Sequence, residues 1–100
     1  MSKKTAIILV NWNSFSLTFD CISSLKKMAY TQYDIIVADS GSVDGSGKKL
    51  KEHFNDIILI ESPTNRGFTG SNNLGMQYVI DNAYAYVFML NNDTFVKEDL

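Results

Sequence analysis

Four short apolar runs, Thr5 to Val10, Asp34 to Ala38, Asp56 to Ile60 and Tyr84 to Leu90, recur along the chain at roughly even intervals. Each is rich in the β-branched and aromatic residues that strands favour. Apolar side chains fill the runs almost throughout instead of alternating with polar ones. A strand of that kind is covered on both faces, which is the condition of a parallel sheet with helices on either side. The segments between the runs supply the helices. In the first, Phe15, Phe19, Ile22, Leu25 and Met28 fall three or four apart on one stripe, with Ser14 at the N-cap position. The second, Asp44 to His53, is short and polar, anchored by Leu50 and Phe54, with Asp44 or Ser46 to cap it. A third is expected to begin near Ser71, after a glycine-containing turn, and to carry Leu74, Tyr78 and Val79 inward. The order β-α-β-α-β-α-β, joined by right-handed crossovers, makes a doubly wound open α/β sheet the leading architecture.

At 100 residues the chain is one domain or part of one. Phe95 to Leu100 reads as the opening turn of another helix, so the sequence is expected to stop before its domain does. Nine Lys plus Arg stand against eleven Asp plus Glu, a net charge of -2, and the lysine clusters (Lys3-Lys4, Lys26-Lys27, Lys48-Lys49-Lys51) are scattered. That balance argues against a nucleic-acid surface built on bulk charge. Cys21 is the single cysteine and His53 the single histidine, too few for an internal disulfide or a zinc site of the usual Cys/His kind. A reducing compartment is the default. The apolar run Ala6 to Val10 is too short for a membrane span or a signal-peptide core, so a cytoplasmic location is expected.

In an open parallel sheet, ligands bind beyond the carboxyl ends of the strands, where helix N-termini aim their N–H groups inward. All four such ends are rich in hydrogen-bonding groups: Asn11-Trp12-Asn13, Asp39 to Ser46, Glu61 to Gly70 and Asn91-Asn92-Asp93. The opposite ends, Ala29 to Tyr33 and Asn82-Ala83, offer little comparable chemistry. Asp39 is placed to accept from a ribose hydroxyl or a base imino group, or to cap the turn that follows it. Trp12 is placed to cover one face of a base, or to pack in the core with its indole N–H on a carbonyl. Asn11 and Asn13 either position the base or shape the turn, the turn being the first choice for Asn13. The segment Asn65 to Gly75 joins Arg66 to three glycines at a helix start, a combination suited to a diphosphate. It is not the Walker pattern, and it follows the wrong strand for the dinucleotide fingerprint. Asp93 ends the last apolar strand, where one carboxylate suffices for Mg²⁺ if phosphate oxygens and water complete the shell; alternatively Asp93 or Thr94 caps the next helix. His53, Cys21 and Met76 read as structural.

Taken in order, Ile8 to Asn13, Val37 to Ser46, Asn65 to Gly75 and Leu90 to Asp93 resemble the family 2 inverting glycosyltransferases of GT-A fold, most of all their rhamnosyltransferase-like branch. The resemblance covers nearly the whole chain and implies the Rossmann-like, mostly parallel GT-A sheet, here ending before the acceptor half. It implies a donor site for a nucleotide diphosphate sugar, UDP- or dTDP-linked. Val10, Trp12 and Asp39 would hold the nucleoside. Arg66, Gly67, Gly70, Asn73, Asn91 and Asn92 would line the diphosphate and sugar, and Asp93 would bind Mg²⁺ or Mn²⁺. Asn91 stands where the family's metal motif begins with Asp. The family's catalytic base and acceptor-binding half lie beyond Leu100, and the expected acceptor is a glycan or lipid-linked glycan. Peripheral association with the inner face of the membrane is open to the full-length enzyme. Two other readings are a sugar-1-phosphate nucleotidyltransferase and a flavodoxin-like interaction domain. The first wants a glycine-rich basic loop where Asn11-Trp12-Asn13-Ser14 stands, the second an Asp where Glu61-Ser62-Pro63 stands.

Overall fold

The computed structural model of the chain describes residues 4–28 and 32–90. Its elements run β1 (Thr5–Asn11), α1 (Phe15–Lys26), β2 (Tyr33–Ser40), α2 (Ser46–His53), β3 (Ile58–Ser62), α3 (Gly67–Asp81) and β4 (Tyr86–Leu90). The strands form one parallel sheet in the order β3-β2-β1-β4. The chain winds outward from β1 to β3 and then returns past β1 to β4, so the strand order reverses beside β1. At such a switch point the loops diverge and leave room for a ligand.

The two faces of the sheet explain why the apolar runs do not alternate. Ile7, Leu9, Ile35 and Val37 point to one side and pack with Cys21, Ile22 and Leu25 of α1 and Leu50 of α2. Ala6, Ile8 and Ile36 point to the other and pack against Val79, Met76 and Tyr78 of α3. Each fully buried Ile or Leu contributes about 1.5–3 kcal/mol through removal of its surface from water. On α3, Gly75 permits the close approach: a Cβ there would lie 2.8 Å from Ile8 Cγ2.

Two expectations need correction. Helix α3 starts at Gly67, not near Ser71. Asn65 Oδ1 accepts the Gly67 N–H at 2.7 Å and Ser40 Oγ accepts the Arg66 N–H at 2.8 Å, which anchors the start one turn earlier. Gly70 therefore lies inside the helix, where a Cβ would sit 2.9 Å from that of Arg66. The second correction concerns β4, which among the described residues is not covered on both faces: Tyr86 and Phe88 are 68% and 59% exposed. As the edge strand it lies beside β1, beyond the reach of α1 and α2, which cover β1, β2 and β3. Among the described residues no helix is long and apolar enough to cross a membrane.

Candidate functional site

The last register pair of β1 and β2 is Asn11 with Asp39, and both side chains point to the α1/α2 face. Asn11 is fully buried. Its Nδ2 donates to Asp39 Oδ1 at 2.8 Å and Ser46 Oγ at 2.7 Å, with a longer contact of 3.3 Å to Ser42 Oγ. Its Oδ1 accepts from the Thr18 hydroxyl at 2.8 Å. Asp39 Oδ1 also accepts from the Ser42 hydroxyl at 2.6 Å, and Oδ2 accepts the Ser42 N–H at 3.2 Å. One side chain thus ties both strands to α1, α2 and the β2–α2 loop. Asp39 caps the turn that follows it and is 4% exposed. The fit allows no Cβ at Gly47, which would lie 2.9 Å from Asp39 Cγ.

Asn13 takes the left-handed conformation at φ 46°. Its Oδ1 accepts the Val43 N–H at 2.9 Å, and its own N–H donates to Ser42 Oγ at 2.9 Å. Of the two roles open to it, the turn-shaping one is observed. Trp12 is no core residue: it is 49% exposed on the same loop, and its carbonyl accepts from the Ser14 hydroxyl at 2.7 Å. Ser14 therefore stands at the cap position without capping α1. Val10, half-buried, lies on the opposite face of β1 from Asn11 and Leu9. In the adjoining loop, hydrogen bonds from Ser46 hold the Asp44 carboxyl below its ordinary range.

On the α3 side, the ends of β2 and β3 meet the loop that precedes the helix. Ser40 Oγ donates to Asn65 Oδ1 at 3.0 Å while accepting the Arg66 N–H. Ser62 Oγ accepts from Arg66 Nε at 3.0 Å and donates to the Thr64 carbonyl at 2.7 Å. Gly41, at φ 69°, lets the two loops touch: a Cβ there would fall 2.4 Å from Thr64 C. Arg66 and Gly67 are exposed at the helix start, and Asn73 is exposed further along. Arg66 occupies the N-cap position, yet its side chain makes no capping bond. The hydroxyl of Ser71, buried within α3, makes no hydrogen bond to a described residue.

The structure therefore gathers three of the four polar loops around the end of β2. Asn91, Asn92 and Asp93, the fourth, lie outside the described residues. Among the described residues no three His, Cys, Asp or Glu side chains gather into a metal-holding group. The serine and threonine hydroxyls at positions 18, 40, 42, 46 and 62 carry no motif that marks them as site residues. Their one local signal is that Ser40 and Ser62 immediately follow the strand-end acids Asp39 and Glu61. A small cleft of about 280 Å³ lies at the opposite edge of the sheet, lined by Lys26, Met28, Tyr33, Asp34, Ile35, Asp56 and Ile57. Its charged groups are already paired, Lys26 with Asp56, and Tyr33 donates to the Leu25 carbonyl. The polar chemistry that remains open is at the carboxyl edge.

An open parallel sheet with its hydrogen-bonding loops gathered at that edge defines an α/β ligand-binding domain. Within that class the chain belongs to glycosyl transferase family 2, whose pattern matches residues 6–100. It is 30% identical over 95 residues to the poly-beta-1,6-N-acetyl-D-glucosamine synthase of Staphylococcus aureus, covering 92% of this chain and 22% of that protein. It is 27% identical over 99 residues to the glycosyltransferase GlyA of Streptococcus pneumoniae serotype 4, covering 96% of this chain and 14% of that one. The chain thus spans less than a quarter of the curated relatives it matches. Among solved structures, TarS 1–349 of S. aureus in complex with UDP superposes with a TM-score of 0.83 at 19% identity, over 96% of this chain and 29% of that one. The mannosyltransferase PcManGT from Pyrobaculum calidifontis, in complex with GDP-Man and Mn2+, gives 0.74 at 19% identity, over 95% and 29%. The GT-A sheet expected from the sequence is the one observed.

Proposed function

We propose that this chain is the donor-binding part of an enzyme that transfers a sugar, with inversion, from a uridine or thymidine diphosphate sugar to a glycan or lipid-linked acceptor. The setting is polysaccharide or cell-envelope synthesis at the cytoplasmic side, with peripheral membrane association of the full-length enzyme. Placement in the rhamnosyltransferase-like branch rests on the motif pattern alone. The observation that carries the reading is the convergence at the end of β2. There Asp39 and Ser40, adjacent in sequence, point to opposite faces, one bonded toward the Trp12 loop and the other to Arg66. A nucleoside on the first loop and a diphosphate on the second would lie across the end of one strand.

Each residue's part follows from its chemistry. Exposed Trp12 stacks on the base, with the backbone at Val10 beside it. Asp39 holds the nucleoside loop in shape and offers carboxylate lone pairs at its edge. Arg66 and the first turn of α3, from Gly67 to Gly70, face the diphosphate with a guanidinium and backbone N–H groups, and Asn73, Asn91 and Asn92 line the sugar. Mg²⁺ or Mn²⁺, held by Asp93 and the donor's own phosphates, would neutralise charge on the departing diphosphate. Asp39 is not the base that deprotonates the acceptor, because it is buried and already accepts three hydrogen bonds.

The test is calorimetric titration of uridine and thymidine diphosphates, with Mg²⁺ or Mn²⁺, into wild type, Trp12→Ala, Asp39→Ala and Asp93→Ala. Loss of base stacking is worth about 1–3 kcal/mol, so Trp12→Ala should weaken binding by roughly 5- to 150-fold. Asp39→Ala and Asp93→Ala should weaken it as well. Equal affinity in all four proteins refutes the reading.

A further inference from the structure

Ser40 and Ser62 are register partners at the ends of β2 and β3, and both are buried. Both spend their one hydroxyl proton within the loop before α3, Ser40 on Asn65 Oδ1 and Ser62 on the Thr64 carbonyl. Each oxygen is thereby left as an acceptor, and both accept from Arg66: Ser40 takes the backbone N–H at 2.8 Å and Ser62 takes Nε at 3.0 Å. One serine fixes the arginine's main chain and the other its guanidinium. Gly70 adds room, since a Cβ there would strike that of Arg66 at 2.9 Å. A guanidinium has five N–H donors. With Nε engaged, the four on the terminal nitrogens make no hydrogen bond or ion pair with a described residue. A long flexible side chain ordinarily loses rotamer freedom when it closes on an anion, and ordering it beforehand removes that cost from binding.

We propose that Ser62, with its register partner Ser40, positions Arg66 so that the terminal guanidinium nitrogens meet the diphosphate of the donor. The proposal rests on the donor-site reading above. Ser62 touches no ligand; it acts through Arg66, and its removal affects the diphosphate and not the nucleoside. The same arrangement makes the serine's effect conditional on the arginine.

The experiment is a double-mutant cycle on the whole chain, with UDP and uridine titrated into wild type, Ser62→Ala, Ser62→Thr, Arg66→Ala and the Ser62→Ala/Arg66→Ala pair. The Arg66 Nε–H signal is followed by NMR in the absence of ligand. Ser62→Ala should weaken UDP by about 2- to 12-fold, the scale of ordering one long side chain on binding, and leave uridine unchanged. Ser62→Thr, which keeps the hydroxyl, should restore UDP binding. In the Arg66→Ala background, Ser62→Ala should change nothing further, and the Nε–H should be protected from solvent exchange in wild type but not in Ser62→Ala. An equal loss of uridine affinity, or a further loss of UDP affinity in the Arg66→Ala background, overturns the proposal. UDP binding by wild type together with an unprotected Nε–H overturns it while sparing the donor site. No UDP binding by wild type, with Nε–H still protected, overturns the donor-site reading and the proposal with it.

Discussion

Replacing Gly41 by alanine adds one methyl group where the chain leaving β2 runs closest to the chain leaving β3. Two costs follow. Gly41 sits at φ 69°, and an L-residue in the left-handed region costs roughly 1–2 kcal/mol. The new Cβ would also lie 2.4 Å from Thr64 C, 2.6 Å from Asn65 N and 2.8 Å from Thr64 O. These are backbone atoms, so relief requires the loop before α3 to move, and overpacking of that kind costs about 1–3 kcal/mol. The total is about 2–5 kcal/mol. Gly45 is the matched control, at φ 75° with nothing nearer than Lys49 Cε at 4.0 Å. Gly45→Ala should incur the conformational cost alone, about 1–2 kcal/mol. Urea unfolding followed by far-UV circular dichroism separates the two. With a slope of about 1–3 kcal/mol per molar urea for a small protein, the overpacking cost of about 1–3 kcal/mol should put the Gly41→Ala midpoint about 0.3–3 M below that of Gly45→Ala. Coincident midpoints would show that the two loops do not touch as described.

Three further outcomes follow from the same geometry. Asn11→Ala removes the buried hydrogen bonds that Asn11 makes to Asp39, Ser46 and Thr18, so it should cost about 1.5–4.5 kcal/mol in urea unfolding, at about 0.5–1.5 kcal/mol for each bond lost; a loss under 1 kcal/mol contradicts the network. Ser71→Ala removes a buried hydroxyl that makes no hydrogen bond to a described residue and improves helix propensity, so it should stabilise the chain by about 1 kcal/mol, and a loss of that size would mean the hydroxyl has a partner. Burial, together with a 2.6 Å hydrogen bond donated to Asp34 Oδ2, raises the Tyr84 phenol above its ordinary 10.0. A raised folded value means that its contribution to stability is complete below pH 10 and is lost as pH climbs through the folded value. Tyr84→Phe should therefore flatten the alkaline arm of a Tm-against-pH curve, and an unchanged arm contradicts the assignment.

The architecture was readable because a parallel strand buried on both faces leaves a continuous apolar run, as Ile7 to Leu9 and Ile35 to Ala38 do. The start of α3 was not. Gly67 and Gly70 carry the signal of a turn, yet Gly70 is there for the stem of Arg66, which becomes its neighbour only once the residues between them are helical, and Gly75 for the flank of Ile8, which is remote in sequence. The exposure of β4 was hidden for a related reason, since an edge strand and a central one can share a composition. At the site, Trp12, Asp39 and Arg66 were legible as chemistry placed after apolar runs. The serines that arrange them were not, because Ser40 and Ser62 become partners only through the register of two strands. Asn11 likewise reaches Ser46 only after the β1–α1–β2 crossover has formed.

The most direct measurement is a map of amide chemical-shift changes on a ¹⁵N-labelled chain titrated with UDP and Mg²⁺. If the donor lies across the end of β2, the shifts should gather at Asn11 to Asn13, Asp39 to Ser46 and Asn65 to Ser71, with the amino edge of the sheet silent. Shifts centred instead on Tyr33, Asp34 and Asp56, or none at all at saturating nucleotide, would contradict it.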